Sequence, residues 1–279
     1  MSHTTLKLLR HGSHIVEVAL HRPTVLNAMS STMFSELLSA FQHLHASPSV
    51  RCILLTGGTE SKAFTSGLDL VDHAALLGGG GQAGPLDGAR RSASLQRTVQ
   101  HYQSALSAVA SVRAPVIAAL HGACIGGGVD LACAADIRLA TADASLRVAE
   151  ARLGLCADLG TLQRLPRLVG SDSWAREVCL TARSIPAAEA LARGLLSGPL
   201  YPSQAALREG ALAMAAAIAA LSPVAVLGTK SNLNFARDHG VGSALAYQAA
   251  WSAASLLTED IGLSMAAKKD KAAEFKDVP

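Results

Sequence analysis

Residues 115–140 read PVIAALHGACIGGGVDLACAADIRLA, and the order of apolar residues, glycines and charges in that stretch decides the kind of fold around it. PVIAALHG (115–122) is a continuous apolar run bounded by proline and glycine, the pattern of a strand buried on both faces. HGACIGGGVD (121–130) follows directly. Three glycines opening a helix place free N–H groups at its positive end, which suits an oxygen that acquires negative charge. Glycine is disfavoured by about 1 kcal/mol relative to alanine inside a helix, so three together point to a close approach of something to the backbone.

Working outward, HIVEVAL (14–20) and RCILLTGG (51–58) read as short strands. They are separated by a helix from about Ser30 to His45 that begins with serine caps. A second long helix is expected from about Ser92 to Ala110, after a glycine-loaded stretch, Gly78 to Gly84, read as a loop because no GK[ST] follows it. Strands alternating with helices argue for an α/β architecture. From residue 201 the pattern turns to alanine-rich helices starting at Ser203, Ser222 and near Gly240. The chain therefore divides into a 1–200 α/β core and a 201–279 helical region.

Half of the 279 residues are apolar, enough for one large core with an appended region. Only 16 % are charged, so much helical surface is expected to be buried or committed to other subunits, which makes a homo-oligomer the natural inference. The net charge of +3 comes without a run of like charges, which argues against nucleic acid as a partner and suits an anionic small molecule. Cys52, Cys124, Cys133, Cys156 and Cys179 are odd in number and lack CxxC spacing, so neither a disulfide framework nor a zinc or other metal site is expected. No segment reaches about 18 uninterrupted apolar residues, so no membrane span is expected. The first residues carry no clear targeting signal, and EFKDVP is not an SKL-type peroxisomal address. Lys7 to Ile15 make a strand–turn–strand rather than a targeting pattern.

Two more segments carry candidate chemistry. AFTSGLDL (63–70) follows strand 51–58 with a glycine that lets a ligand come close to the backbone, although on its own residues it reads as an ordinary strand-to-helix turn. Phe64 stands where a nucleophile elbow at Ser66 requires glycine, so a serine hydrolase is excluded. VAEARLGLCADLGTLQRLP (148–166) sets Glu150 and Asp158 among apolar residues. If the segment is buried, desolvation raises both carboxyl pKa values towards the range useful for proton transfer. A capping aspartate and a surface glutamate paired with Arg152 fit the spacing as well.

Taken in order with HRPTVLNAM (21–29) and LLTGG (54–58), these segments resemble the enoyl-CoA hydratase/isomerase (crotonase) superfamily from about His14 to the C-terminus. The resemblance implies a crotonase-type spiral of ββα units with a C-terminal helical trimerisation region, as a homo-trimer or homo-hexamer. It implies an acyl-CoA substrate, with coenzyme A part of the substrate and no separate cofactor. It places the oxyanion hole at the backbone amides of Leu68 and Gly127, and substrate binding at Ser66, Gly67, Leu68, Asp69, Leu70 and Gly127. Hydratases of this superfamily carry glutamates at the positions of Asp130 and Glu150 and glycine at that of Asp158. The combination Asp130, Glu150, Asp158 instead resembles the Δ3,5-Δ2,4-dienoyl-CoA isomerases of fatty-acid β-oxidation. That chemistry takes a proton from C2 and delivers one to C6, which two acids serve better than one. The expectation is Glu150 as base, Asp158 as donor and Asp130 as a positioning group. Arg22 or Lys268, Lys269 and Lys271 are candidates for the coenzyme A phosphates, and a mitochondrion or peroxisome-like organelle is the expected compartment. The rival readings are an enoyl-CoA hydratase, a Δ3-Δ2-enoyl-CoA isomerase, or an RNA-binding homologue without catalysis.

Overall fold

The computed structural model describes residues 3–74, 77, 87–267 and 273–279. The Gly78–Gly84 stretch and Lys268, Lys269 and Lys271 lie outside the described residues, so the expectations placed on them are not addressed. Strands β1 (Leu6–His11) and β2 (Ile15–Leu20) form the antiparallel hairpin expected of that segment, turned at Gly12. Parallel strands β3 (Cys52–Thr56), β4 (Val116–Leu120) and β6 (Ile137–Ala140) extend it to a sheet in the order β1-β2-β3-β4-β6, while β5 (Ala123–Ile125), β7 (Ser145–Arg147) and β8 (Ile185–Pro186) make a second, smaller sheet. Every residue of β3 and β4 is buried, as their unbroken apolar runs require.

The helices are α1 (Ser31–His45), α2 (Gly88–Ser111), α3 (Gly127–Ala134), α4 (Thr161–Leu168), α5 (Asp172–Thr181), α6 (Ala187–Ala192), α7 (Gln204–Ala219), α8 (Pro223–Asp238), α9 (Val241–Ser255) and α10 (Asp260–Ala266). Ser30, Ser203 and Ser222 cap α1, α7 and α8 through their side chains, as read from sequence. Helix α2 begins earlier than its apolar pattern suggested. Asp87 caps it by accepting from Arg90 N–H, and the first turn is wholly exposed and so shows no periodicity.

A repeating path positions the site. Each central strand of the large sheet is followed by a short extended segment in the second sheet, and then by a helix. After β2 comes Met29, bridged to Leu68, and then α1; after β3 comes Thr65, bridged to Cys124, and then α2. After β4 comes β5, paired with β7, and then α3. The turns that leave these short segments therefore lie side by side. Beneath them, α1, α2 and α3 bury Phe34, Phe41, Leu106 and Leu131 against one face of the large sheet. Leu207, Ala211, Ala215 and Ala219 of α7 cover the opposite face over Cys52, Leu54 and Ile117. Helices α8 and α9 pair through a stack of Phe235 on Tyr247 at 4.2 Å, and α9 has no buried residue. The last residues return to the core, where Arg51 holds Asp277 and the Phe275 carbonyl, and Arg113 holds the Val278 carbonyl. Among the described residues no single helix is long and apolar enough to cross a membrane.

Candidate active site

The turn at 66–68 and the start of α3 form one edge of a cavity of about 340 Å³. Gly67 has φ +92°, and a Cβ there would sit 2.7 Å from the Ile125 carbonyl, so only glycine lets the two turns approach this closely. Hydrogen bonds brace the turn on its other side, Met29 N–H donating to Gly67 O and Asp69 N–H to Met29 O. Asn27, fully buried in a left-handed conformation, donates to the Gly57, Ala63 and Phe64 carbonyls and accepts from Arg22 N–H. Thr65 Oγ1 donates to Asn27 O and accepts from Gly67 N–H. Among the described residues, neither the Leu68 nor the Gly127 N–H donates to any protein acceptor. Two such amides at one cavity edge are the requirement for holding a developing oxyanion.

Glu150 opens a short 3₁₀ turn, Glu150–Leu153, and lines the cavity beside the α3 start, where a Cβ on Gly126 would lie 3.2 Å from Glu150 Oε1. Its Oε2 is buried and has no hydrogen-bond partner. Burial is the main cause that pushes its pKa up to about 7, with the charges of Asp130 and Asp158 adding to it. Asp158 also lines the cavity, together with Leu155, Cys156 and Leu159, and burial raises its pKa as well. The capping-and-pairing alternative is not what forms. No ion pair joins Glu150 to Arg152 among the described residues, and Asp158 does not cap α4, whose N-cap residue is Gly160.

Asp130 is placed differently from the other two. It is 1 % exposed, does not line the cavity, and accepts from Thr161 N–H at 2.6 Å at the start of α4. Burial pushes its pKa up to about 6. Ser66, Gly67, Leu68, Leu70 and Gly127 line the cavity. Asp69 does not, because its carboxylate is spent on Arg22 at 2.7 Å and on the Val71 and Asp72 N–H groups. Arg22 in turn donates to Ala28 O, so this candidate for the coenzyme A phosphates is engaged in fastening the turn.

Leu153, Leu155 and Leu159 belong to the apolar surroundings read around the two carboxyls, but the part of the lining from Leu77 and α2 went unnoticed in the sequence. Leu95, Val99 and Tyr102 of α2, with Leu77, Leu153, Leu155 and Leu159, make the far end apolar. The apolar face of α2 was visible as periodicity, but nothing in the periodicity separates a cavity wall from a core. Among the described residues no group of three or more His, Cys, Asp or Glu side chains is placed to hold a metal ion.

Comparison with known proteins agrees with this geometry. Mitochondrial Δ(3,5)-Δ(2,4)-dienoyl-CoA isomerase of Mus musculus is 40 % identical over 270 residues, which cover 97 % of this chain and 81 % of that one. The peroxisomal Δ(3,5)-Δ(2,4)-dienoyl-CoA isomerase of Arabidopsis thaliana is 39 % identical over 272 residues, covering 97 % and 96 %. A putative enoyl-CoA hydratase from Thermobifida fusca, solved in complex with acetoacetyl-CoA, superposes with a TM-score of 0.77 at 32 % identity over 90 % of this chain and 94 % of that one. With residues 10–277 matching the family's pattern as well, the spiral of ββα units and its paired amide turns belong to a member of the enoyl-CoA hydratase/isomerase family.

Proposed function

We propose that this chain is a Δ3,5-Δ2,4-dienoyl-CoA isomerase. The observation that carries the reading is the pairing of Glu150 and Asp158 along one apolar cavity, with Asp130 withdrawn from it. A hydratase needs a water held between two carboxyls beside the thioester, and Asp130 is not exposed there to hold one. The identity to named dienoyl-CoA isomerases supports the same choice.

The thioester carbonyl accepts from the Leu68 and Gly127 N–H groups. Glu150, next to that edge, takes a proton from C2. The C–H electron pair moves into the thioester as a dienolate whose oxygen the two amides hold. A single donor of this kind is worth about 10²–10³ in rate. On collapse of the dienolate, the double bonds settle at C2 and C4, and Asp158 gives its proton to C6. A base with a pKa of about 7 is half ionised at neutral pH, near the optimum for proton abstraction. Glu150 is the more buried of the pair. An acyl chain expels water from around the more exposed Asp158 and raises its pKa further, which sets it to hold the proton it delivers. The two acids titrate as a pair.

The substrate class is acyl-CoA, the pathway fatty-acid β-oxidation, and the compartment a mitochondrion or peroxisome-like organelle. The exposed apolar side chains Leu233, Val241, Leu245 and Leu257 on and beside α8 and α9 support a homo-trimer or a hexamer built from two trimers. Sedimentation at three or six times 28.6 kDa bears this out, and a monomer contradicts it. The activity is tested by incubating the protein with 3,5-dienoyl-CoA and following the absorbance of the conjugated 2,4-product. Absent turnover together with rapid hydration of 2-enoyl-CoA overturns the assignment.

A further inference from the structure

Tyr102 contributes to the apolar wall of the cavity and is itself only 7 % exposed. Its hydroxyl lies 2.9 Å from Nε2 of His73, whose ring is buried as well. His73 Nδ1 in turn lies 2.8 Å from the Asp69 carbonyl. A carbonyl only accepts, so Nδ1 donates to it, which leaves Nε2 to accept from the tyrosine hydroxyl. Phe34 of α1 stacks on the Tyr102 ring at 4.2 Å, which fixes the direction in which the hydroxyl points.

These contacts join two parts of the cavity built independently of one another. Asp69 directly follows the oxyanion donor Leu68, and its own N–H donates to Met29 O. Tyr102 sits on α2, which forms the acyl wall. Backbone contacts brace the 66–68 turn towards Met29 and Ile125; on the α2 side His73 N–H also donates to Asp69 O at 3.0 Å, and the step from His73 to α2 is made by side chains alone. A buried hydrogen-bonded group that loses its partner is left desolvated and unpaired, so such a chain holds one geometry against its alternatives.

We propose that Tyr102 and His73 are positioning residues for the reaction: through the Asp69 carbonyl they hold the turn that presents the Leu68 amide, fixing the oxyanion donor against the acyl wall. The inference rests on the isomerase reading only in naming the reaction, because any enolate chemistry at this site uses the same amide. Neither residue touches the reacting atoms. Their effect appears in the placement of the donor, where a displacement of about 1 Å costs up to 10² in rate.

Two substitutions break the chain at different points. Tyr102→Phe keeps the ring, the stack and the wall and removes the hydroxyl alone. His73→Asn keeps a donor towards the Asp69 carbonyl and removes the acceptor for Tyr102. With 3,5-dienoyl-CoA, each is expected to lower kcat about tenfold with KM within twofold, and the double variant to be no slower than either single one, because both break one connection. Multiplicative losses in the double variant overturn the proposal. So does an unchanged kcat with only a lower thermal midpoint, the signature of a purely structural pair. If one variant fails to fold by circular dichroism, the kcat and KM of the other decide. Should wild-type protein not isomerise the dienoyl substrate, the isomerase assignment fails by itself, and the same comparison is run on hydration of 2-enoyl-CoA.

Discussion

The two ends of the cavity are made of different material. Under the proposed function, the working groups at the thioester end are the backbone amides of Leu68 and Gly127, set by glycines and by short bridges between successive ββα units. At the acyl end they are side chains of α2 and of the 150–159 segment. The backbone end depends on the main-chain path, and the Leu68 side chain serves packing against the core rather than chemistry. The side-chain end tolerates a shift of backbone but depends on which residue stands where. One end therefore serves any thioester enolate, while the other selects the reaction and the substrate.

The largest expected effects separate chemistry from scaffold. Glu150→Gln and Asp158→Asn should each reduce isomerisation by about 10³–10⁴, with far-ultraviolet circular dichroism unchanged. A loss below tenfold for either would remove that residue from the proton-transfer pair. Gly67→Ala attacks the backbone end. Its Cβ would meet the Ile125 carbonyl at 2.7 Å at a φ of +92°. The expected result is a loss of about 10²–10³ in kcat for isomerisation and for any hydration alike, measured on both substrates. A loss confined to one substrate would contradict the view of this end as generic.

A smaller effect belongs to the acyl wall. Val99→Phe narrows the apolar end and should lower kcat/KM about tenfold for a long acyl chain while leaving the shortest dienoyl-CoA unaffected. Equal losses on both would place Val99 outside the acyl path.

The smallest effect is on stability. Glu150 has a folded pKa of about 7 against an ordinary 4.5. The folded protein therefore binds this proton more tightly than the unfolded chain does. Wild type loses stability as pH rises from about 4.5 to about 7, where a buried charge replaces a neutral acid. Glu150→Gln should be more stable than wild type at pH 8, by at most about 3 kcal/mol, a gain that shrinks towards zero near pH 5, as urea unfolding at the two pH values will measure. A gain independent of pH would assign it to packing instead. In the wild type, kcat/KM should rise with pH through about 7, as Glu150 ionises.

Much of this frame was legible in the sequence because its signals are local. The apolar run 115–122, the serine caps and the glycines of 126–128 each report on their own backbone, and the structure puts strand, helices and amide turns where they read. The start of α2 was misjudged because its exposed first turn has no apolar face for Asp87 to announce. Asp130 was grouped with Glu150 and Asp158 through the family resemblance; in the structure its carboxylate accepts from Thr161 N–H, and the other two line the cavity without it. Tyr102 and His73 stand 29 residues apart and touch only because α2 lies across the 66–74 turn. Nothing in either residue's neighbourhood in the sequence marks that contact.

The division of labour between the two carboxyls is tested most directly by proton exchange at C2. With 3,5-dienoyl-CoA in D₂O, Asp158→Asn should exchange the C2 hydrogens for deuterium while forming almost no 2,4-product, because Glu150 still opens and closes the dienolate. Glu150→Gln should show neither exchange nor product. Exchange retained in Glu150→Gln and lost in Asp158→Asn would contradict the account, and would make Asp158 the base.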